Sequence, residues 1–148
     1  MKSTRSVVGA YLQANGFTQV KQNWVYQGEE TTCRIKLERV RYKKGRYYLR
    51  YYVRILPLSL WRFEGPVLSG TMYSPYVQDK VELEACLNEN IETLGPVSRL
   101  NHLDYMMREK VIPFLHQLRT VQGIRRMYMD GVLRGSAIHK ELADFLMK

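Results

Sequence analysis

The chain is predicted to be an α+β protein: an N-terminal helix, an antiparallel β-sheet of about four strands, then a C-terminal group of helices packed on one sheet face. Three observations predict it. Apolar and polar residues alternate with period two from Cys33 to Glu38 and again from Tyr47 to Ile55, the pattern of half-buried antiparallel strands. Beyond Asp79 the apolar residues instead recur at helical spacing, between Gly and Pro stops. The two kinds of segment are segregated along the chain, which marks α+β rather than α/β. A length of 148 residues suits one domain, 1–148, and no repeat, low-complexity tract or linker interrupts it.

The first element reads as a short helix. Ser3 or Thr4 can cap it, and Val7, Val8, Tyr11 and Leu12 form one apolar stripe. Asn15-Gly16 ends it, with Gly16 suited to the left-handed position after a helix. Phe17 begins extended chain, Asn23–Tyr26 reads as a strand, and Gly28-Glu29-Glu30 as a turn. In the hairpin that follows, Cys33, Ile35 and Leu37 lie on one face with Tyr47, Leu49, Tyr51, Val53 and Ile55. Arg34, Lys36 and Glu38 lie on the other with Tyr48, Arg50, Tyr52 and Arg54. A two-residue loop would set apolar Ile35 against Arg54. A three-residue loop pairing Tyr42 with Arg46 keeps both faces consistent and makes Gly45 the left-handed residue of a bulge. That register sets Arg34 opposite Arg54, Lys36 opposite Tyr52 and Glu38 opposite Arg50.

Pro57 ends the long strand, 58–66 reads as a loop carrying Trp61 and Phe63, and Val67–Tyr73 as a further strand. Asp79 can cap a helix to about Leu94, stopped by Gly95-Pro96. The next helix runs from about Ser98 or Asn101 to Leu118, and Pro113 should kink or split it. Thr120 can cap a short helix through Met129, ended by Asp130-Gly131. Ser136 is expected to cap the last helix, with Ile138, Leu142, Phe145 and Leu146 inward.

The net charge is +9 and unevenly spread. Residues 1–62 carry 13 basic side chains against three acidic; residues 63–100 carry two against six; the remainder carries eight against five. Such a field favours acidic partners, either an acidic protein surface or nucleic acid, or serves only solubility. No apolar run approaches the roughly 20 residues of a membrane span, and the start lacks the apolar core of a secretory signal. A cytoplasmic protein without membrane association is expected. Cys33 and Cys86 are too few for a disulfide framework or a zinc site and read as core.

No catalytic motif stands out in the chain. His102, His116 and His139 sit in or beside predicted helices without ligand spacing, so no metal is expected. There is no Gly-x-Ser-x-Gly elbow, no Walker loop and no Gly-x-Gly-x-x-Gly, so neither a catalytic residue nor a cofactor is assigned. Glu82, Glu84, Glu89 and Glu92 read as one solvated helix surface. Met106, Met107, Met127 and Met129 read as core filling. The expectation is a non-catalytic domain, the alternative an enzyme whose pocket carries no recognisable motif.

One constellation remains. Arg34, Lys36, Tyr48, Arg50, Tyr52 and Arg54 share the polar face of the hairpin, offset by Glu38 alone. Arginines interleaved with tyrosines suit a protein interface, here an acidic partner. They also suit single-stranded nucleic acid, through phosphate contacts and base stacking. They equally suit a solvated face on which Tyr and Arg cover the strand. The run lacks the aromatic core of an RRM, and no helix-turn-helix with a basic second helix stands out. Arg125-Arg126 could extend the basic surface.

The order Leu12, Gly16-Phe17, Trp24 and the alternating strands, with Pro113-Phe114 near the C-terminus, resembles a family of bacterial proteins known only as a domain of unknown function. The resemblance implies an α+β fold and no established activity or catalytic residue. Some of that family resemble accessory proteins of toxin or mobile-element loci, which would imply an immunity or adaptor role.

Overall fold

A computed structural model describes residues 3–56, 66–72, 77–90, 95–134 and 136–147. Helix α1 spans Thr4–Ala14. The Ser3 hydroxyl accepts from the Ser6 amide while the Ser6 hydroxyl accepts from the Ser3 amide, a reciprocal cap. Gly16, at φ +91°, turns the chain out of the helix as its place in the sequence predicts. Strands β1 (Thr18–Val20), β2 (Asn23–Gln27), β3 (Thr31–Arg39), β4 (Tyr47–Ile55) and β5 (Leu68–Thr71) follow. The helical half comprises α2 (Val77–Cys86), α3 (Pro96–Met106), a π-helical turn (Met107–Val111), α4 (Ile112–Gln117), α5 (Val121–Met129) and α6 (Lys140–Leu146). Strand β6 (Ala137–Ile138) is inserted before α6.

The sheet has six strands in sequential order, β1 to β6, all antiparallel neighbours, rather than about four. The two extra strands are short edges. β1 is three residues long, and β6 is two residues that return from the helical half to pair Ile138 with Leu68. Such fragments leave almost no period-two signal. The β6 pairing also corrects the expected start of the last helix. Ser136 lies before β6, and the cap is His139, whose Nδ1 accepts from the Glu141 amide.

The main hairpin has the predicted faces in a different register. Arg34 lies opposite Tyr52, Lys36 opposite Arg50 and Glu38 opposite Tyr48, two residues from the expected pairing. The cause is the loop. The Val40 amide donates to the Arg46 carbonyl, leaving five residues outside the ladder, folded as two successive turns. Lys43 donates to Val40 in the first and Arg46 to Lys43 in the second. Gly45 is left-handed, φ +81°, as expected; Tyr42 is left-handed as well, φ +64°. A non-glycine residue in that region is uncommon, and nothing in the sequence marks Tyr42 for it. Because the slip is an even number of residues, no side chain changes face.

The helical half also departs in detail. α2 begins at Val77, so Asp79 lies inside it, and it ends at Cys86 rather than near Leu94. Glu89 is therefore beyond the helix, where Thr4 Oγ1 donates to it at 3.4 Å. The helical run containing Pro113 continues from Pro96 to Gln117 without a break and passes through a π-helical turn just before the proline. The Ile112 amide reaches back to Met107, so the chain meets the proline after a widened turn. Thr120 caps α5 by accepting from the Gly123 amide, and Gly131, at φ +78°, follows its end. The loop expected around Trp61 and Phe63, like Glu92, lies outside the described residues.

One hydrophobic cluster joins the two halves. Its sheet side is Trp24, Cys33, Ile35, Leu37, Leu49, Tyr51, Val53, Ile55 and Leu68. Its helix side includes Val8, Leu12, Leu83, Leu103, Met106, Phe114, Ile124 and Leu142. Met106, Met107 and Met127 are buried in it as read from the sequence, whereas Met129 is exposed. A Cβ on Gly9 would stand 3.2 Å from the Trp24 indole, so glycine lets α1 approach the sheet. Polar ties reinforce the packing. Buried Arg99 donates to Thr4 Oγ1 at 2.9 Å and to the Cys86 carbonyl at 2.7 Å, joining α1, α2 and α3. Buried Thr31 donates to the Leu118 carbonyl at 2.9 Å.

Candidate functional site: the outer face of the hairpin

The six residues singled out by alternation are brought together on the sheet face turned away from the core. Cross-strand rows run Gln27–Thr32–Arg54, then Val25–Arg34–Tyr52–Ser69, then Asn23–Lys36–Arg50–Thr71, then Glu38–Tyr48. Arg34, Lys36 and Arg54 are exposed; Tyr48, Arg50 and Tyr52 are half-buried. The described helices pack on the opposite, apolar face. Arg125-Arg126 lies in that helical layer: the Arg125 guanidinium sits 5.8 Å from the Phe145 ring centroid and its Nε donates to the Leu146 carbonyl. It does not extend the basic face.

Glu38 organises one end of this surface. Tyr52 donates its hydroxyl to Glu38 Oε1 at 3.1 Å, Tyr48 donates to Oε2, and Lys36 Nζ lies 3.6 Å from Oε1. Partial burial alone would raise the carboxyl's pKa. The hydrogen bonds from Tyr48 and Tyr52, with the charges of Lys36 and Arg50, outweigh it and hold the group below its ordinary value. Both phenols are raised, Tyr48 chiefly by its hydrogen bond to Glu38 and Tyr52 chiefly by burial, with Glu38 adding to it. Both tyrosines are therefore neutral donors near neutral pH.

The Tyr52 ring is occupied by cations. The Arg34 guanidinium stands 4.6 Å from the Tyr52 ring centroid and that of Arg50 stands 5.6 Å from it. The sheet-facing Arg50 Nε is buried without a hydrogen-bond partner among the described residues. Four basic side chains thus face one carboxylate, and that carboxylate is already bound by two hydroxyls and an ammonium.

Beside Arg34 and Arg54 the face dips into a cleft of about 270 Å³, lined by Val25, Thr32, Arg34, Tyr52, Arg54 and Pro66. The lower end of the usual ligand-pocket range is about 300 Å³. Val25, Thr32 and Pro66 were not anticipated. The alternation around Trp24 does put Val25 on the outer face, but its place beside Arg34 depends on the β2–β3 register, Val25 opposite Arg34.

Elsewhere the chemistry is sparse. Cys33 and Cys86 are buried free thiols, and burial pushes the Cys33 thiol up to about 12. His102, His116 and His139 stand on separate elements, and no group of three metal-ligating side chains occurs among the described residues. Burial, then the nearby Arg119 charge, lowers the pKa of His116. No described helix is long and apolar enough to cross a membrane. Comparison with protein-family models, with curated proteins and with solved structures finds no match to this chain.

Proposed function

We propose that the protein is a non-catalytic interaction domain that binds an acidic protein partner through the basic, tyrosine-rich outer face of its sheet. The carrying observation is the charge imbalance of an accessible, pre-ordered surface. Arg34, Lys36, Arg50 and Arg54 project from two paired strands, and Glu38, the one carboxylate among them, is engaged by Tyr48, Tyr52 and Lys36. Paired strands space the cations, and the Tyr52 ring beneath the Arg34 guanidinium reduces the freedom that this one side chain would lose on binding. Electrostatic complementarity of this kind raises association rates and selects partners by sign. The two buried thiols suit the reducing cytoplasm. An accessory or immunity-type role, the one implied by the bacterial resemblance, requires no more than such a surface.

Single-stranded nucleic acid would use the same face but would need open tyrosine rings for base stacking. The guanidinium groups against the Tyr52 ring favour an acidic protein instead. The test is binding of fluorescent poly-glutamate and of labelled oligo-dT to the whole chain, with and without Arg34→Glu plus Arg54→Glu. Poly-glutamate should bind, weaken with salt, and lose at least about tenfold in affinity on double reversal. Oligo-dT binding that is tighter than poly-glutamate binding and collapses in Tyr48→Ala or Tyr52→Ala would replace this reading with the nucleic-acid one.

A further inference from the structure

We propose that the cleft between Arg34 and Arg54 is a phosphoryl subsite, so that the acidic partner is a protein segment carrying a phosphorylated side chain. This rests on the reading above and names the group that its most electropositive corner would take. Thr32 lies directly opposite Arg54, and Arg34 is two residues along the same strand, directly opposite Tyr52. Arg34 and Arg54 therefore stand on adjacent strands, both next to Thr32, with a diagonal separation of about 7–8 Å at the backbone. All three side chains line the cleft, and both arginines are exposed.

Charge count selects the ligand. Among the described residues no carboxylate lies within ion-pairing distance of Arg34 or Arg54, because Glu38 is bound farther along the strand by Tyr48, Tyr52 and Lys36. Two uncompensated guanidinium groups are matched by a group of charge about −1.5 to −2, which a phosphomonoester carries at neutral pH. A carboxylate or a phosphodiester brings a single charge. A phosphoryl group also has three acceptor oxygens for two planar guanidinium donors and one hydroxyl, the geometry in which arginine is preferred over lysine. Tyr52 holds the Arg34 guanidinium in place from below, 4.6 Å from its ring centroid. Val25 and Pro66 supply an apolar wall suited to the carbon atoms that bear the phosphate.

The experiment is a titration of the isotope-labelled whole chain, followed by amide and arginine Nε resonances. The probes are N-acetyl-phosphoserine amide, N-acetyl-glutamate amide and dimethyl phosphate at constant ionic strength. The phosphoserine probe should move Thr32, Arg34 and Arg54, bind at least about fivefold more tightly than the singly charged probes, and weaken as pH falls through about 6, where the phosphoryl group gains a proton. Arg54→Gln should weaken it about tenfold, and Arg34→Gln gives an independent check at a second strand. Equal response to the glutamate or dimethyl phosphate probe, or unchanged phosphoserine affinity in both variants, overturns the phosphoryl assignment. Poly-glutamate titrated in parallel separates the two levels. If it binds while phosphoserine shows no preference, only the phosphoryl subsite fails. If neither binds, the acidic-partner reading fails with it.

Discussion

Tyr51 and Tyr52 are neighbours in one strand and live in different solvents. Tyr51 points into the core, 1% exposed, its ring 5.4 Å from that of Phe114 and its hydroxyl hydrogen-bonded to Ser136. Tyr52 points outward, its ring beneath two guanidinium groups and its hydroxyl on Glu38. The contrast extends over the whole sheet. The inner face is chosen for volume and apolar area, where each buried side chain contributes roughly 1.5–3 kcal/mol. The outer face is chosen for charge and geometry, where exposed ion pairs contribute about 0–1 kcal/mol. The two faces can therefore be separated by experiment: inner substitutions should change stability, outer ones chiefly recognition.

The largest effect is expected where the inner face is most completely filled. Trp24 is 1% exposed and packs against Gly9. Trp24→Ala should cost about 3–5 kcal/mol, since the tight helix–sheet contact cannot collapse fully around the void. Urea unfolding measures it, and a loss below about 1 kcal/mol would mean that the inner face is not the principal core. A chemical corollary concerns Cys33, whose buried thiol is pushed up to about 12. Its alkylation at neutral pH should follow unfolding, and rapid labelling of the native protein would contradict its inward position.

Glu38 should show an intermediate effect with a diagnostic pH dependence. Its carboxyl is held below the ordinary value in the folded protein, where burial is outweighed by Tyr48, Tyr52, Lys36 and Arg50. In the unfolded chain it titrates near about 4.3. The stabilisation is therefore complete above that value and is lost as pH falls through the folded one. Glu38→Gln should destabilise by about 1–2 kcal/mol at pH 7. The gap from the unsubstituted protein should narrow toward pH 3 in urea titrations. A gap that is independent of pH would mean that the charge of Glu38 does not order the outer face.

The division between faces was legible in the sequence; the neighbours within a face were not. Period two alone assigns Ile35 and Val53 inward and Arg34 and Arg54 outward, and an error of two residues in register leaves this intact. The same error pairs Glu38 with Arg50 instead of Tyr48, which replaces a carboxylate bound by two phenols with a simple ion pair. Its origin is Tyr42, a left-handed residue without glycine or asparagine to announce it. Pro113 announced a disturbed helix but not its π form. The edge strands β1 and β6 were too short to register as strands. Gly16, Gly45, Thr120 and Gly131 were readable because each acts through its own backbone or cap, without reference to a distant partner.

The smallest effect on stability is also the sharpest test of the contrast. Arg54 is exposed and lies opposite Thr32, and among the described residues it has no ion-pair partner. No ion pair among the described residues depends on its charge. Arg54→Gln should leave the unfolding free energy within about 0.5 kcal/mol of the parent value, and removing one positive charge from a basic face should not harm the compact state. A loss above about 1 kcal/mol would show that Arg54 holds the sheet together, joining the outer face to the inner in function as well as in space. Unchanged stability with weakened binding of poly-glutamate would instead separate them, since a side chain that the fold does not use would then be one that recognition requires.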